Sequence, residues 1–461
     1  ILYMKTAFKS LLIVIATALM CSCTKTNTPE LRSQEGMVTT CDISLDEAET
    51  ELISFMDTFE PMTRSGERRS ILNKYSVGGK ASTKSDNVQE TPLVHIFNFN
   101  DNQGYAILAG DRRMPSILCI TDEGNLDEDS TSDNPGLLVA MSDIDTYYRL
   151  MTGMPVTDLD GNIVPYEQYA TDVFVDEITP YPGYQTIDGE DVYSYTYGAW
   201  QNYSTVGDLL DCNWRQGTPF NRYCFTDDGQ QAVAGCVPIA VGQIMYHWKH
   251  SFNYNGTYWD WNKMTDIKKY SSSSSYTEGW DLVQKLIMTL GTPANLDATY
   301  GTSSTSAYSS NAGRTFENFG FAEGGELEEY DFTTLKNAVS NGPVLLRGNS
   351  QKNVTVTKFL GITWNTETTY SNGHAWVCDQ VLTRRRLVSV YKNGTFDYSY
   401  YETQNLVHCN WGWGGTDDGY YFSAKFDTNA GPETKAKTTT VYGTDYYYQY
   451  NLQMNCGIRA Y

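Results

Sequence analysis

The chain has 461 residues, 40% of them apolar, with 35 Tyr, 17 Phe and 10 Trp. That length exceeds a usual single domain and allows a sizeable core, and the aromatic content excludes a largely disordered chain. A formal charge of −22 argues against nucleic acid as a partner, which would call for a basic stripe.

Lys5 and Lys9 precede an apolar run from Leu11 to Met20, too short to span a bilayer but suited to the core of an export signal. The run ends at Cys21-Ser22-Cys23, and a small residue before a cysteine resembles a bacterial lipoprotein signal with Cys23 as the lipid attachment site. An ordinary secretory signal with incidental cysteines is the alternative. Residues 24–40 are polar and read as a tether. Leu45, Ala48, Leu52, Phe55 and Met56 then recur at helical spacing, with acidic residues on the other faces. Residues 61–90, rich in Ser, Gly, Lys and Arg, read as a loop. Strands are expected at 93–99, 105–110 and 116–120, a solvated acidic loop at 121–134, and a helix at 137–151. The stretch 155–200 has no clear periodicity and marks the domain boundary.

The next segment is Gly235-Cys236-Val237-Pro238 running on to Trp248. Apolar residues at Val237, Ala240, Val241, Ile244 and Trp248 give a helix, and Pro238 falls in its first turn, where proline is tolerated. Cys236 therefore opens a helix, where unpaired amides and the dipole favour a thiolate. A buried core cysteine is the plainer alternative. Further helices are expected at 278–290, 307–319 and 333–340, with strands from Val344 onward. Residues 387–391 and 396–401 flank Asn393-Gly394, a two-residue hairpin signal.

Ten cysteines are present, with no zinc-binding spacing. Setting aside Cys21, Cys23 and Cys236 leaves an odd number, so a complete disulfide framework cannot close within one chain. Cys212 and Cys224 could pair across a loop, although buried thiols are the general expectation.

His374, in Gly373-His374-Ala375, follows Cys236 by 138 residues, and Asn410, in Asn410-Trp411-Gly412-Trp413-Gly414-Gly415, lies another 36 on. A cysteine at a helix start with His and Asn at such distances is the papain order. Together with Trp214-Arg215-Gln216-Gly217-Thr218-Pro219-Phe220-Asn221 and Asp260-Trp261-Asn262, these motifs resemble the streptopain family of secreted bacterial cysteine peptidases. Residues 93–123, with Asp111-Arg112-Arg113-Met114-Pro115 and Asp122-Glu123-Gly124, look like that family's propeptide.

The resemblance implies an α+β protein: a papain-like catalytic fold of a helical and an antiparallel β subdomain, preceded by an α+β propeptide with a small antiparallel sheet. The expected division is a signal at 1–23, an inhibitory propeptide at 24–175, a linker with the activation cleavage at 176–202, and a peptidase domain at 203–461. Cys236 would be the nucleophile and His374 its acid–base partner, with Gln216 and the Cys236 amide as the oxyanion hole. Asn410 is nominated to orient the histidine by the papain pattern, and Trp413, with Trp411 next, by the streptopain pattern. Expected partners are protein or peptide substrates and the chain's own propeptide, in a monomer that is exported to the cell envelope or beyond; no metal or organic cofactor is implied. His247 and His250 near the helix end read as structural, and His408 as packing. Arg384-Arg385-Arg386 reads as a solvated edge. A thiol amidase or acyltransferase, and a non-catalytic binding relative, are the rival readings.

Overall fold

A computed structural model describes residues 42–59, 69–78, 92–111, 114–127, 156–157, 163–164, 185–188, 191–264, 267, 277–348, 374–423 and 452–461. The signal, the lipid site Cys23, the tether and the expected helix at 137–151 lie outside them.

Near the N-terminus, helix α1 (Leu45–Phe59) opens with a capping box, in which Ser44 N donates to Glu47 Oε2 at 2.8 Å while the Glu47 amide donates to Ser44 Oγ at 3.3 Å. Its stripe of Ala48, Leu52, Phe55, Met56 and Phe59 is buried, and each large apolar side chain contributes roughly 1.5–3 kcal/mol. The stripe packs on a sheet of β1 (Ile71–Gly78), β2 (Pro92–Phe99), β3 (Tyr105–Ala109) and β4 (Ile117–Thr121). Strand β1 corrects the reading of 61–90 as a loop. Its polar side chains lie at the outer edge of the sheet, where backbone pairing with β2 is enough to hold it and the apolar pattern is weak.

A short pair, β5 (Val156–Thr157) and β6 (Ile163–Val164), precedes β7 (Gln185–Asp188), β8 (Asp191–Tyr197) and β9 (Gln201–Gly207). The aperiodic stretch 155–200 is thus partly strand. Both β8 and β9 lie along β14 (His374–Lys392), so their order comes from a partner nearly 200 residues away rather than from local pattern.

The helical part holds α2 (Cys236–Trp248), the hairpin β10 (Phe252–Tyr254) and β11 (Thr257–Trp259), α3 (Trp261–Met264), α4 (Glu278–Leu290) and α5 (Ala312–Asn318). Helix α4 falls on the expected residues, whereas α5 starts later than position 307, after a single 3₁₀ turn at Ser309–Asn311. Every residue of α2 from Val237 to Tyr246 is buried, the mark of a helix enclosed on all sides. Strand β12 (Glu323–Glu329), α6 (Phe332–Val339) and β13 (Val344–Gly348) lead to β14, β15 (Thr395–Asn410), β16 (Gly419–Phe422) and β17 (Gln453–Arg459). The Asn393-Gly394 turn forms, with φ of 51° and 79°, but it closes a hairpin of 19- and 16-residue strands, far longer than the flanking apolar runs.

The sheet order β1-β2-β3-β4-β16-β15-β14-β13-β17-β12 makes one sheet across both expected domains. The join is β4 against β16, where Tyr420 faces Ile120 and Gly419 faces Thr121. A Cβ on Gly419 would meet the Ile120 carbonyl oxygen at 2.3 Å, so close approach demands glycine there.

One sequence reading is corrected beside this join. Arg384 and Arg386 are buried, not solvated: Arg384 Nη1 lies 2.8 Å from Glu51 of α1, and Arg386 Nε lies 2.5 Å from Glu402. Their guanidiniums cover Trp200 at 4.3 and 4.5 Å. A run of three arginines is solvated on a free edge, but here α1 closes over it and supplies the carboxylate. In the helical core, Cys212 and Cys224 are free buried thiols, as the general expectation from the sequence had it.

Candidate active site

Helix α2 delivers Cys236 as its first residue, immediately after Gly235. Burial of the sulfur pushes the thiol pKa up, while the backbone N–H groups of Ala375, Val237 and Cys236 pull it down. Two of these amides belong to the helix start and the third to β14, so the sulfur lies where helical core and sheet meet. The residue itself keeps partial exposure, which leaves an approach from solvent. Those amides would stabilise negative charge on sulfur or on an adjacent oxyanion.

His374 opens β14, next to Ala375. Its Nε2 lies 3.3 Å from the Trp411 carbonyl, an acceptor, so the proton is placed on Nε2 and the lone pair on Nδ1. The ring lies against Trp376 and Trp411, with centroids 6.1 and 6.2 Å away. Burial lowers its pKa to about 4 against the small raising effect of the Trp411 carbonyl, so the ring is neutral. No hydrogen bond joins the thiol and the imidazole, and neither group is charged in this arrangement.

The Gln216 backbone is tied to the segment just before Cys236: the Ala234 N–H donates to the Gln216 carbonyl at 2.8 Å. Its side chain is half-buried, and the neighbouring Arg215 bridges Trp413. Asn410 is buried and fully engaged elsewhere. Its Oδ1 accepts from Gln243 Nε2 at 3.0 Å and from Gly412 N at 3.1 Å, and its Nδ2 donates to the Cys212 carbonyl at 3.1 Å. Gln243, in the buried α2, accepts in turn from the Trp214 amide at 3.0 Å. Asn410 thus braces α2 against the 212–214 segment, and the group touching the imidazole is the carbonyl of the next residue. Trp413 is half-buried with its indole N–H unpartnered among the described residues, while Trp411 and Trp376 make the ring contacts to His374. Trp376 was not singled out from the sequence; its position two residues beyond His374 on a strand, hence on the same face, is the signal that could have found it.

His408 is more than packing. Its Nδ1 lies 2.5 Å from Asp379 and its Nε2 3.0 Å from Asp122, on the segment just after β4. Against the effect of burial, these two carboxylates hold its pKa well above the usual histidine range, so the ring is charged at neutral pH. Asp122 N also donates to the Asp418 carbonyl at 2.8 Å, and Tyr105 OH to Asp417 Oδ1 at 3.0 Å. The Trp411 indole N–H donates to the Asp417 carbonyl, and Asp418 Oδ1 accepts from the Trp411 amide. The N-terminal sheet therefore grips the loop whose Trp411 faces His374. His247, read as structural, donates from Nδ1 to the Leu209 carbonyl at 2.8 Å, and burial lowers its pKa. Among the described residues, no cluster of His, Cys, Asp or Glu could hold a metal ion, and no helix is long and apolar enough to cross a membrane.

A cysteine at the head of an enclosed helix, flanked by amides and followed in the chain by a histidine at the start of an antiparallel strand, is an arrangement that suits a cysteine-type peptidase. Residues 214–421 match the model described as Peptidase C10 family. Residues 41–145 match the model described as Spi protease inhibitor, so an inhibitor-like segment precedes the peptidase segment. The chain is 26% identical to the thiol protease/hemagglutinin PrtT of Porphyromonas gingivalis, over 78% of this chain and 38% of that protein. It is 23% identical to streptopain of Streptococcus pyogenes serotype M1, over 76% of each. It thus spans little more than a third of PrtT but about three quarters of streptopain. Among solved structures, a fragment of prointerpain A from Prevotella intermedia aligns with a TM-score of 0.43 and 19% identity, covering 76% of this chain and 91% of that one.

Proposed function

We propose that the protein is an exported cysteine endopeptidase made as a zymogen, with residues 24–175 as inhibitory propeptide, the activation cleavage within 176–202, and 203–461 as the peptidase domain. Cys236 attacks the peptide carbonyl as thiolate, giving a thioester acyl-enzyme. The His374 Nδ1 lone pair takes the thiol proton, the imidazolium then protonates the leaving amine, and the ring finally activates water. The Cys236 amide and the Gln216 side chain stabilise the oxyanion, with a typical loss of about 10²–10³ in rate when one such donor is removed. The Trp411 carbonyl orients His374 through Nε2, Trp376 and Trp411 confine the ring, and Asn410 and Trp413 support that loop. Lipidation at Cys23 would tether the monomeric enzyme to the cell envelope.

One observation carries this reading: the sulfur of Cys236 lies among three backbone N–H groups while β4 of the inhibitor-like segment is hydrogen-bonded into the sheet that bears His374. The neutral thiol and imidazole fit the latent state, and loss of the β4–β16 join frees the loop that holds Trp411. The test is time-resolved intact mass of the protein lacking residues 1–23, beside its Cys236→Ala version, under reducing conditions. Loss of the N-terminal segment only when Cys236 is present, with casein cleavage appearing in step, supports the proposal. Should the peptidase segment freed by an added protease ignore both casein and a thiol-directed peptidyl inhibitor, the proposal is overturned.

A further inference from the structure

Arg347, in β13, faces Ala375 across the strand pair, and Ala375 supplies one of the amides around the Cys236 sulfur. Residues paired across antiparallel strands share a face and have Cα atoms about 4.5–5.5 Å apart. The face is the one toward α2, because Leu345, Ala375 and Val377 pack into the helical core while Leu346 and Trp376 pack into the opposite one. Arg347 therefore lies on the sheet face toward α2, which begins at Cys236. Its guanidinium is half-buried and is built in. Nε donates to Gln453 Oε1 at 3.0 Å, Nη2 to the same oxygen, and Nη1 to Ser309 Oγ at 3.0 Å.

None of these partners is an anion. Gln453 stands between Arg347 and Glu329, donating from Nε2 to Glu329 Oε1 at 2.9 Å. Among the described residues no carboxylate forms an ion pair with Arg347, in contrast to Arg384, Arg386 and Arg459, which all have one. Among the described residues, three of the five guanidinium donors are engaged. A half-buried cation that no described carboxylate pairs with directly, Glu329 acting on it only from beyond Gln453, can take an acidic side chain that enters the site. Arg347 is paired with Ala375 and an extended substrate advances about 3.3 Å per residue, so the subsite to be tested is one within about two or three residues of the scissile bond.

We propose that Arg347 makes one substrate subsite beside Cys236 selective for an acidic side chain, Asp or Glu. This rests on the peptidase reading above. The test uses the full chain, activated, on a positional peptide library scanning three residues either side of the scissile bond. At one position the protein should prefer Glu over Gln by about 10–100-fold in kcat/KM, the range for a charge-assisted hydrogen bond, and mostly through KM. Arg347→Gln should bring that Glu-to-Gln ratio close to one, Arg347→Lys should keep part of it, and Arg347→Glu should reverse it toward Lys and Arg. The absence of acidic preference at every position, or a ratio unchanged in Arg347→Gln, overturns the inference and leaves Arg347 as a strut between β13, β17 and Ser309. A protein inert towards the whole library and unlabelled at Cys236 by a thiol-directed peptidyl inhibitor overturns the peptidase reading and this inference with it.

Discussion

Glu51→Gln probes the join between the inhibitor-like and peptidase segments. The Arg384 side chain is fully buried, and Glu51 is 22% exposed and lies 2.8 Å from its Nη1, too poorly aligned to form a hydrogen bond. Arg384 keeps Gln404 Oε1 at 2.6 Å, Ser116 Oγ at 2.7 Å and its stacking on Trp200, and the amide oxygen of a Gln can still accept from Ser116 Oγ, which donates to Glu51 Oε1 at 3.0 Å, so the substitution removes chiefly the charge. Removing one partner of a fully buried pair is worth about 3–5 kcal/mol. Solvent at Glu51 and the neighbouring Glu402 carboxylate lower that to about 2 kcal/mol, or ~30-fold in an opening equilibrium. The assay is native-state hydrogen exchange on full-length Cys236→Ala protein, following the β4 and β16 amides, whose protection should fall ~30-fold. Glu49→Gln, which removes the more exposed pair with Lys74, should change it less than about threefold. Unchanged β4 protection in Glu51→Gln, or an equal fall in both variants, would refute the argument that Arg384 is a buried charge neutralised by α1.

Two pH dependences follow from the site, and they differ in sign. With the His374 pKa at about 4 in the latent form and near 6.5 when the ring is in water, the unfolded chain binds the extra proton between those values. Stability is unaffected above about pH 6.5 and falls by up to about 3 kcal/mol as pH drops toward 4; urea midpoints of Cys236→Ala protein should show this slope and lose it in the added His374→Leu variant. His408 behaves oppositely, because its pKa is raised: its contribution is fully present below pH 6.5 and is lost as pH rises through the folded value. The β4–β16 join should therefore loosen in alkali, measured by hydrogen exchange, and His408→Gln should flatten that dependence; a profile identical in the two proteins would exclude the Asp122–His408–Asp379 link as its cause.

Much of the site was legible in the order of residues because local rules govern it. The apolar spacing after Cys236 and the tolerated Pro238 set a helix start at Cys236, and the Asn393-Gly394 pair set a hairpin. The motif around Gln216 and the Gly-His-Ala step marked the remaining parts, whose roles are proposals tested by the experiments above. Tertiary contacts decided what local pattern cannot carry. Three consecutive arginines read as a wet edge until α1, more than 300 residues earlier, covers them with Glu51. His408 became a charged bridge only when the fold brought Asp122 and Asp379 to its two nitrogens. The carbonyl of Trp411, rather than the amide of Asn410, meets His374 because Asn410 is held by Gln243 and Cys212 across the helix interface. Strands β1, β8 and β9 were missed for the same reason: backbone pairing is indifferent to side-chain pattern, so an edge strand is specified by its neighbour. Sequence periodicity reports which face of an element is buried, whereas charge pairing and strand neighbours depend on residues brought together from distant parts of the chain.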